Sequence, residues 1–204
     1  MTIYCASGNP RKLREFRLAG AVLGIDIEPL PALKSIVAPE ETGFTFEENA
    51  RQKAAYYSQF APGPLFADDS GLEVDALNGA PGVRSARFAA DAGLFDSPDA
   101  SDNTDVWNNM VLLQRLGDLP TDRRTARYRC VLVAARNGKP QHSTEGTVEG
   151  IILDAPRGTG GFGYDPLFYL PPLERTMAEI DLQTKLSLSH RGRALAALLA
   201  QMHL

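Results

Sequence analysis

The sequence predicts an α/β domain with a mixed β-sheet, on three observations. Strand-like and helical apolar periods alternate through the first half of the chain. Two long strand-patterned runs, Thr125–Arg136 and His142–Leu153, are joined by the turn signal Asn137-Gly138. No internal repeat and no linker divides the 204 residues, so one domain spanning 1–204 is expected.

Thr2–Ala6 reads as the first strand. The helix after it runs from about Arg11 to Leu23, with Leu13, Phe16, Ala19 and Leu23 at helical spacing. Ile25–Leu30 is a second strand. A loop containing Pro and Glu then leads to a helix over about Thr45–Phe60, which Pro62 and Pro64 end. Leu65–Ala67 is a short strand delivering Asp68 and Asp69 at its end, and Gly71–Leu77 is another. Ala89–Asn103, rich in Ala, Asp, Gly and Ser, reads as an exposed loop, and a helix over Thr104–Leu116 follows. The closing helix, about Leu188–His203, sets Leu188, Leu195, Leu198 and Met202 on one face.

Composition excludes some classes of function. With 21 basic and 25 acidic residues the net charge is −4, which disfavours a nucleic-acid polymer as partner but leaves room for a small phosphorylated ligand. No apolar run approaches the roughly 18 residues of a membrane span, and the amino terminus lacks a secretory layout. The two cysteines, Cys5 and Cys130, sit in apolar strand patterns and read as reduced core residues, which points to the cytoplasm.

Four segments could carry chemistry. Ser7-Gly8-Asn9-Pro10-Arg11-Lys12 lies between a strand and a helix, where backbone amides and a helix start suit an anion and Lys12 adds a point charge. An ordinary turn with a surface lysine would look the same. Glu41, in Glu-Glu-Thr-Gly, and the pair Asp68-Asp69 suit magnesium, which takes one or two carboxylates and completes its shell with water and phosphate. Surface turn acids are the alternative.

Gly158–Pro166 contains GxGxxG but is followed by the strand-like Leu167–Leu170, so a dinucleotide fingerprint is rejected. Its Phe162 could stack on a nucleobase or pack in the core. Lys185-Leu-Ser-Leu-Ser-His190-Arg191-Gly gathers polar groups at a helix start. Any one of them could be a solvated neighbour of a capping Ser.

Taken together, SGNPRK (Ser7–Lys12), EETGFTFEENARQKA (Glu40–Ala54), FADDSGLEVDALNGAPGVRSARF (Phe66–Phe88), GTGGFGYDPLF (Gly158–Phe168) and KLSLSHRGRAL (Lys185–Leu195) resemble the inosine/xanthosine triphosphate pyrophosphatase family. The resemblance implies an elongated two-lobed α/β fold, with a long mixed sheet flanked by helices, a central nucleotide-binding cleft, and a homodimer. It implies hydrolysis of ITP, dITP and XTP to monophosphate and pyrophosphate with Mg2+.

By position, Ser7, Gly8, Asn9, Pro10, Arg11, Lys12 and Lys53 would hold the triphosphate. Glu41 and Asp69 would hold the metal, with Asp69 also the base for the attacking water, and Ser70 would touch substrate. Phe162, Gly163, Tyr164, Asp165, Lys185, His190 and Arg191 would surround the base and the neighbouring sugar–phosphate. Arg191 and amides near Phe162 are the expected donors to a 6-oxo group. A pyrophosphatase for other modified nucleotides, or a sensor without turnover, remains the alternative. The pattern departs from the family's commoner form between Ala89 and Asn103, where the loop is longer.

Overall fold

The structure is a computed structural model and describes residues 1–93 and 104–203. Among the described residues, seven strands form a sheet in the order β2-β1-β3-β4-β5-β6-β7. They are β1 (Thr2–Cys5), β2 (Asp26–Pro29), β3 (Leu65–Val74), β4 (Thr125–Arg136), β5 (Lys139–Ile152), β6 (Phe168–Leu170) and β7 (Arg175–Thr176). The helices are α1 (Pro10–Val22), α2 (Phe46–Tyr57), α3 (Phe88–Asp91), α4 (Thr104–Leu116), α5 (Leu182–Leu188) and α6 (His190–Gln201). β1 pairs in parallel with β2 and β3, setting Ile3 opposite Ile27 and Cys5 opposite Phe66. β6 pairs antiparallel with both β5 and β7, so the sheet is mixed, as expected.

The chain forms two compact units, each with its own core. The first comprises Met1–Ser70, Arg129–Thr147 and Leu186–Leu204. Its core joins Ile3, Cys5, Phe16, Phe66, Cys130, Leu132, Leu195 and Leu198, with Phe16 and Phe66 edge to face at 5.1 Å. Asn9 starts α1 by accepting hydrogen bonds from the Arg11 and Lys12 amides, and Pro10 takes the first helical position, where its missing N–H costs nothing. Thr45 and Glu48 cap α2 reciprocally.

The second unit comprises Gly71–Tyr128 and Val148–Lys185. Leu72, Leu112, Ile152, Leu167 and Phe168 form the centre of its core. The buried Arg124 donates to the carbonyls of Gly117 and Leu119 just beyond α4.

Several expected boundaries move. β3 runs unbroken through Asp68, Asp69 and Ser70, where the sequence suggested two strands and a break. Cationic partners on both faces of the strand, described below, make two adjacent buried carboxylates tolerable. Ala89 is buried in α3 and its amide is bonded to Asn108 Oδ1, so the segment read as exposed begins inside the fold; 94–103 lie outside the described residues. The expected closing helix is α6, which starts two residues later, and a separate short helix, α5, precedes it. Ser189 is extended and its hydroxyl accepts the Gly192 amide, so Leu188 ends α5 and α6 begins at His190.

Candidate active site

Successive side chains of a strand point to opposite faces, and β3 uses this to give each of its two aspartates its own ammonium group. Asp68 Oδ2 accepts from Lys12 Nζ at 2.7 Å, Lys12 coming from the first turn of α1. Asp69 Oδ1 accepts from Lys53 Nζ at 2.9 Å, Lys53 coming from α2. Glu41, on the segment ahead of α2, reaches the same Lys53 Nζ at 3.4 Å. Two carboxylates from separate parts of the chain therefore converge on one ammonium group.

The two aspartates are electrostatically unlike. Burial opposes ionisation of Asp68, yet Lys12, Lys53 and Arg191 together hold its carboxyl down at about 2. For Asp69 burial wins over the attraction of Lys53 and Lys12, and its carboxyl sits above the ordinary range. Lys53 is shifted up. Burial opposes its charge, but Asp69, Asp68 and Glu41 outweigh that and keep it an ammonium. An anchored carboxylate beside one of raised basicity is a pattern that assigns different roles to neighbouring acids.

Three further residues complete this cluster, two of which, Glu15 and Asn49, sequence reasoning left out. Asp68 is one, the partner of Lys12. Glu15 is another. It is 5% exposed on α1 and accepts from Arg191 Nη1 at 2.9 Å, while Arg191 Nη2 donates to Ser70 Oγ at 3.2 Å. Ser70 Oγ in turn donates to Asp68 Oδ2 at 3.3 Å. Arg191 thus braces Ser70 and Glu15. The third is the buried Asn49, whose Nδ2 donates to Asp69 Oδ2 at 3.2 Å. Both helical omissions carried a signal: Glu15 lies three residues from Lys12, and Asn49 four from Lys53, so each shares a helix face with a chosen lysine.

The Ser7–Lys12 segment forms the start of α1, whose orphan amides and dipole favour an anion. Asn9 Oδ1 is committed to the cap, so the amide nitrogen is the half of Asn9 suited to phosphate. His190 is buried in the first turn of α6.

In the second unit, Asp165 is the hub. It is buried, its Oδ2 accepts from Lys185 Nζ at 2.6 Å and from the Phe162 amide at 2.8 Å, and its Oδ1 accepts from the Tyr128 hydroxyl at 3.2 Å. The Lys185 ammonium also lies 5.0 Å from the centre of the half-buried Phe162 ring. Gly161 sits at φ 71°, and a Cβ there would come within 2.1 Å of Asp165 Oδ2, so no other residue lets the loop close on its own carboxylate. From α4, Asp105 accepts the Gly163 amide and Asn109 donates to the Gly163 carbonyl, both at 2.9 Å.

The Phe162 amide is held by Asp165 and the Gly163 amide by Asp105. Tyr164 is a core residue, 3% exposed with its hydroxyl on the Ser85 carbonyl, where burial pushes its pKa up.

Among the described residues no three His, Cys, Asp or Glu side chains gather as a metal cage. What meets at Lys53 is a pair of carboxylates, Glu41 and Asp69, and such a pair could serve a cation that draws its remaining ligands from water and phosphate. No helix among the described residues is long and apolar enough to cross a membrane.

The chain is similar to known proteins over nearly its whole length. The model of the Ham1 family matches residues 3–201. A protein of Acidobacterium capsulatum named dITP/XTP pyrophosphatase is 57% identical over 203 residues, covering 99% of this chain and 98% of that one. One of the same name from Thermus thermophilus is 47% identical over 98% of this chain and 90% of its own. Among solved structures, the Staphylococcus aureus Ham1 protein superposes with a TM-score of 0.81 at 36% identity, covering 100% of this chain and 98% of that one. A Mycobacterium abscessus nucleoside-triphosphatase / dITP/XTP pyrophosphatase does so with 0.71 at 39%, over 98% and 99%.

Proposed function

The chain belongs to the Ham1 family, and from that premise we propose that it hydrolyses deaminated purine nucleoside triphosphates (dITP, XTP and ITP) to the monophosphate and pyrophosphate, cleansing the nucleotide pool. The observation that carries the reading is the convergence of Glu41 and Asp69 on Lys53, beside Lys12 at the start of α1. The names borne by relatives up to 57% identical over nearly the whole chain support the substrate class.

Phosphoryl transfer needs positioning and charge neutralisation more than covalent help. Glu41 and Asp69 are the residues that would hold Mg2+, which supplies charge neutralisation at the phosphate oxygens. Lys12 and Lys53 stabilise negative charge developing on the pyrophosphate leaving group. Asp69 takes the proton of the water attacking at phosphorus. The amides at the start of α1, with Ser7, Asn9 and Lys12, hold the triphosphate. Phe162 offers an aromatic face for the base, held in place by Asp165 and Lys185. A homodimer and a cytoplasmic setting belong to the same proposal.

A panel of ITP, dITP, XTP, GTP and ATP, followed by monophosphate and pyrophosphate release with Mg2+ and with chelator, tests it. Turnover is expected on the first three and only with the metal. A site matched to a 6-oxopurine rejects adenine by up to about 10⁴-fold, because mismatched buried polar groups are left unpaired. Equal rates on ATP and ITP would make the protein a general nucleotidase, and binding without pyrophosphate release would make it a sensor.

A further inference from the structure

Resting on that reading, we propose that Asn49 is a positioning residue: its one amide fixes the geometry of the pair of carboxylates that take the metal. Asn49 projects from α2 and is 1% exposed. Its Oδ1 accepts the Gly43 amide at 2.8 Å, and its Nδ2 donates to Asp69 Oδ2 at 3.2 Å. The partners settle which end is which, since a backbone N–H only donates and an ionised carboxylate only accepts. Gly43 lies two residues from Glu41, so the same side chain that orients Asp69 also anchors the segment presenting Glu41.

The approach is tight enough to constrain the sequence at both ends. A Cβ on Gly43 would lie 2.6 Å from Asn49 Oδ1 and 2.7 Å from Glu48 Cβ, so the loop reaches the amide only as glycine. Asp69 has its Oδ2 on Asn49 and its Oδ1 on Lys53. The carboxylate is thereby fixed in plane, with each oxygen assigned. Among side chains of this length only an amide serves both contacts. Aspartate keeps an acceptor for Gly43 but sets a carboxylate oxygen against Asp69.

Partners of this kind change metal affinity or activity by roughly 10–100-fold when removed. The test therefore uses Asn49→Ala and the isosteric Asn49→Asp, with Mn2+ as the probe. Mn2+ binding to the full-length protein without nucleotide is read by water-proton relaxation. The Mg2+ dependence of kcat and the KM for ITP are measured alongside, and thermal unfolding reports folding.

Both variants are expected to fold, to bind Mn2+ and respond to Mg2+ at roughly 10–100-fold higher metal concentration, and to keep KM for ITP at saturating Mg2+ within about threefold. Unchanged Mn2+ affinity in folded Asn49→Asp would overturn the proposal, since the Asp69 half of the clamp would then have no effect. Loss of folding in both variants would also overturn it, reducing Asn49 to a structural anchor. Wild-type turnover without any divalent cation would instead sink the metal reading itself, which separates the two failures.

Discussion

At the scale of single residues, the site holds charge under tension. Asp69 is buried, and its ionised form is the one that burial penalises. Its folded pKa is raised, so the ionised carboxylate detracts from stability once the pH rises through that value. Asp69→Asn is therefore expected to unfold at pH 7 no lower in temperature than the wild type, while turnover falls by about 10²–10³. A variant that keeps wild-type turnover would remove Asp69 as the base. Lys53 makes a sharper case, because its ammonium bridges the two carboxylates proposed for the metal. Replacing it with Met removes a competing cation, so Mn2+ alone should bind more tightly, on the order of tenfold, even as turnover drops. Weaker Mn2+ binding in Lys53→Met would mean that the ammonium supports the metal rather than competing with it. Asp68 works in the opposite sense from Asp69. Its folded pKa, about 2, lies below the ordinary value, so its contribution to stability is complete above roughly pH 4 and is lost as pH falls through about 2.

At the scale of elements, apolar period and turn signals made much of the fold legible. The helix expected from Thr45 is α2, and the turn at Asn137-Gly138 separates two long strands. The continuity of β3 was not legible. An Asp-Asp pair reads locally as a strand end, and only the lysines delivered by α1 and α2, 56 and 16 residues away in sequence, make it an interior. α5 was not legible because its seven residues, Leu182–Leu188, are too few to show an apolar period. In the Gly158–Asp165 loop the composition was visible but the inward role of Asp165 was not, since it depends on Lys185 and Tyr128 arriving from distant segments. That loop carries its own test. Asp165→Asn leaves the buried Lys185 ammonium without its carboxylate, and breaking such a pair typically costs about 3–5 kcal/mol. Thermal unfolding should show the loss in Asp165→Asn and a partial recovery in Asp165→Asn/Lys185→Met. A single variant as stable as the wild type would show that the pair is not what holds the loop.

At the scale of the whole molecule, the question is whether two cores mean two folding units. Each unit buries its own apolar cluster, which would allow separate unfolding. The chain argues against it. β3, β4 and β5 each begin in one unit and end in the other, so neither unit is a continuous stretch of sequence, and melting one removes paired length from strands of the other. The molecule contains natural reporters for each. Its single tryptophan, Trp107, belongs to the second unit, while both cysteines, Cys5 and Cys130, are fully buried in the core of the first, with thiols pushed up by burial. In urea, Trp107 fluorescence and the reactivity of the two thiols toward a disulfide reagent should therefore change at one midpoint, coincident with far-UV circular dichroism. Thiols that react well before the tryptophan signal moves, or well after, would show that shared strands do not couple the two cores.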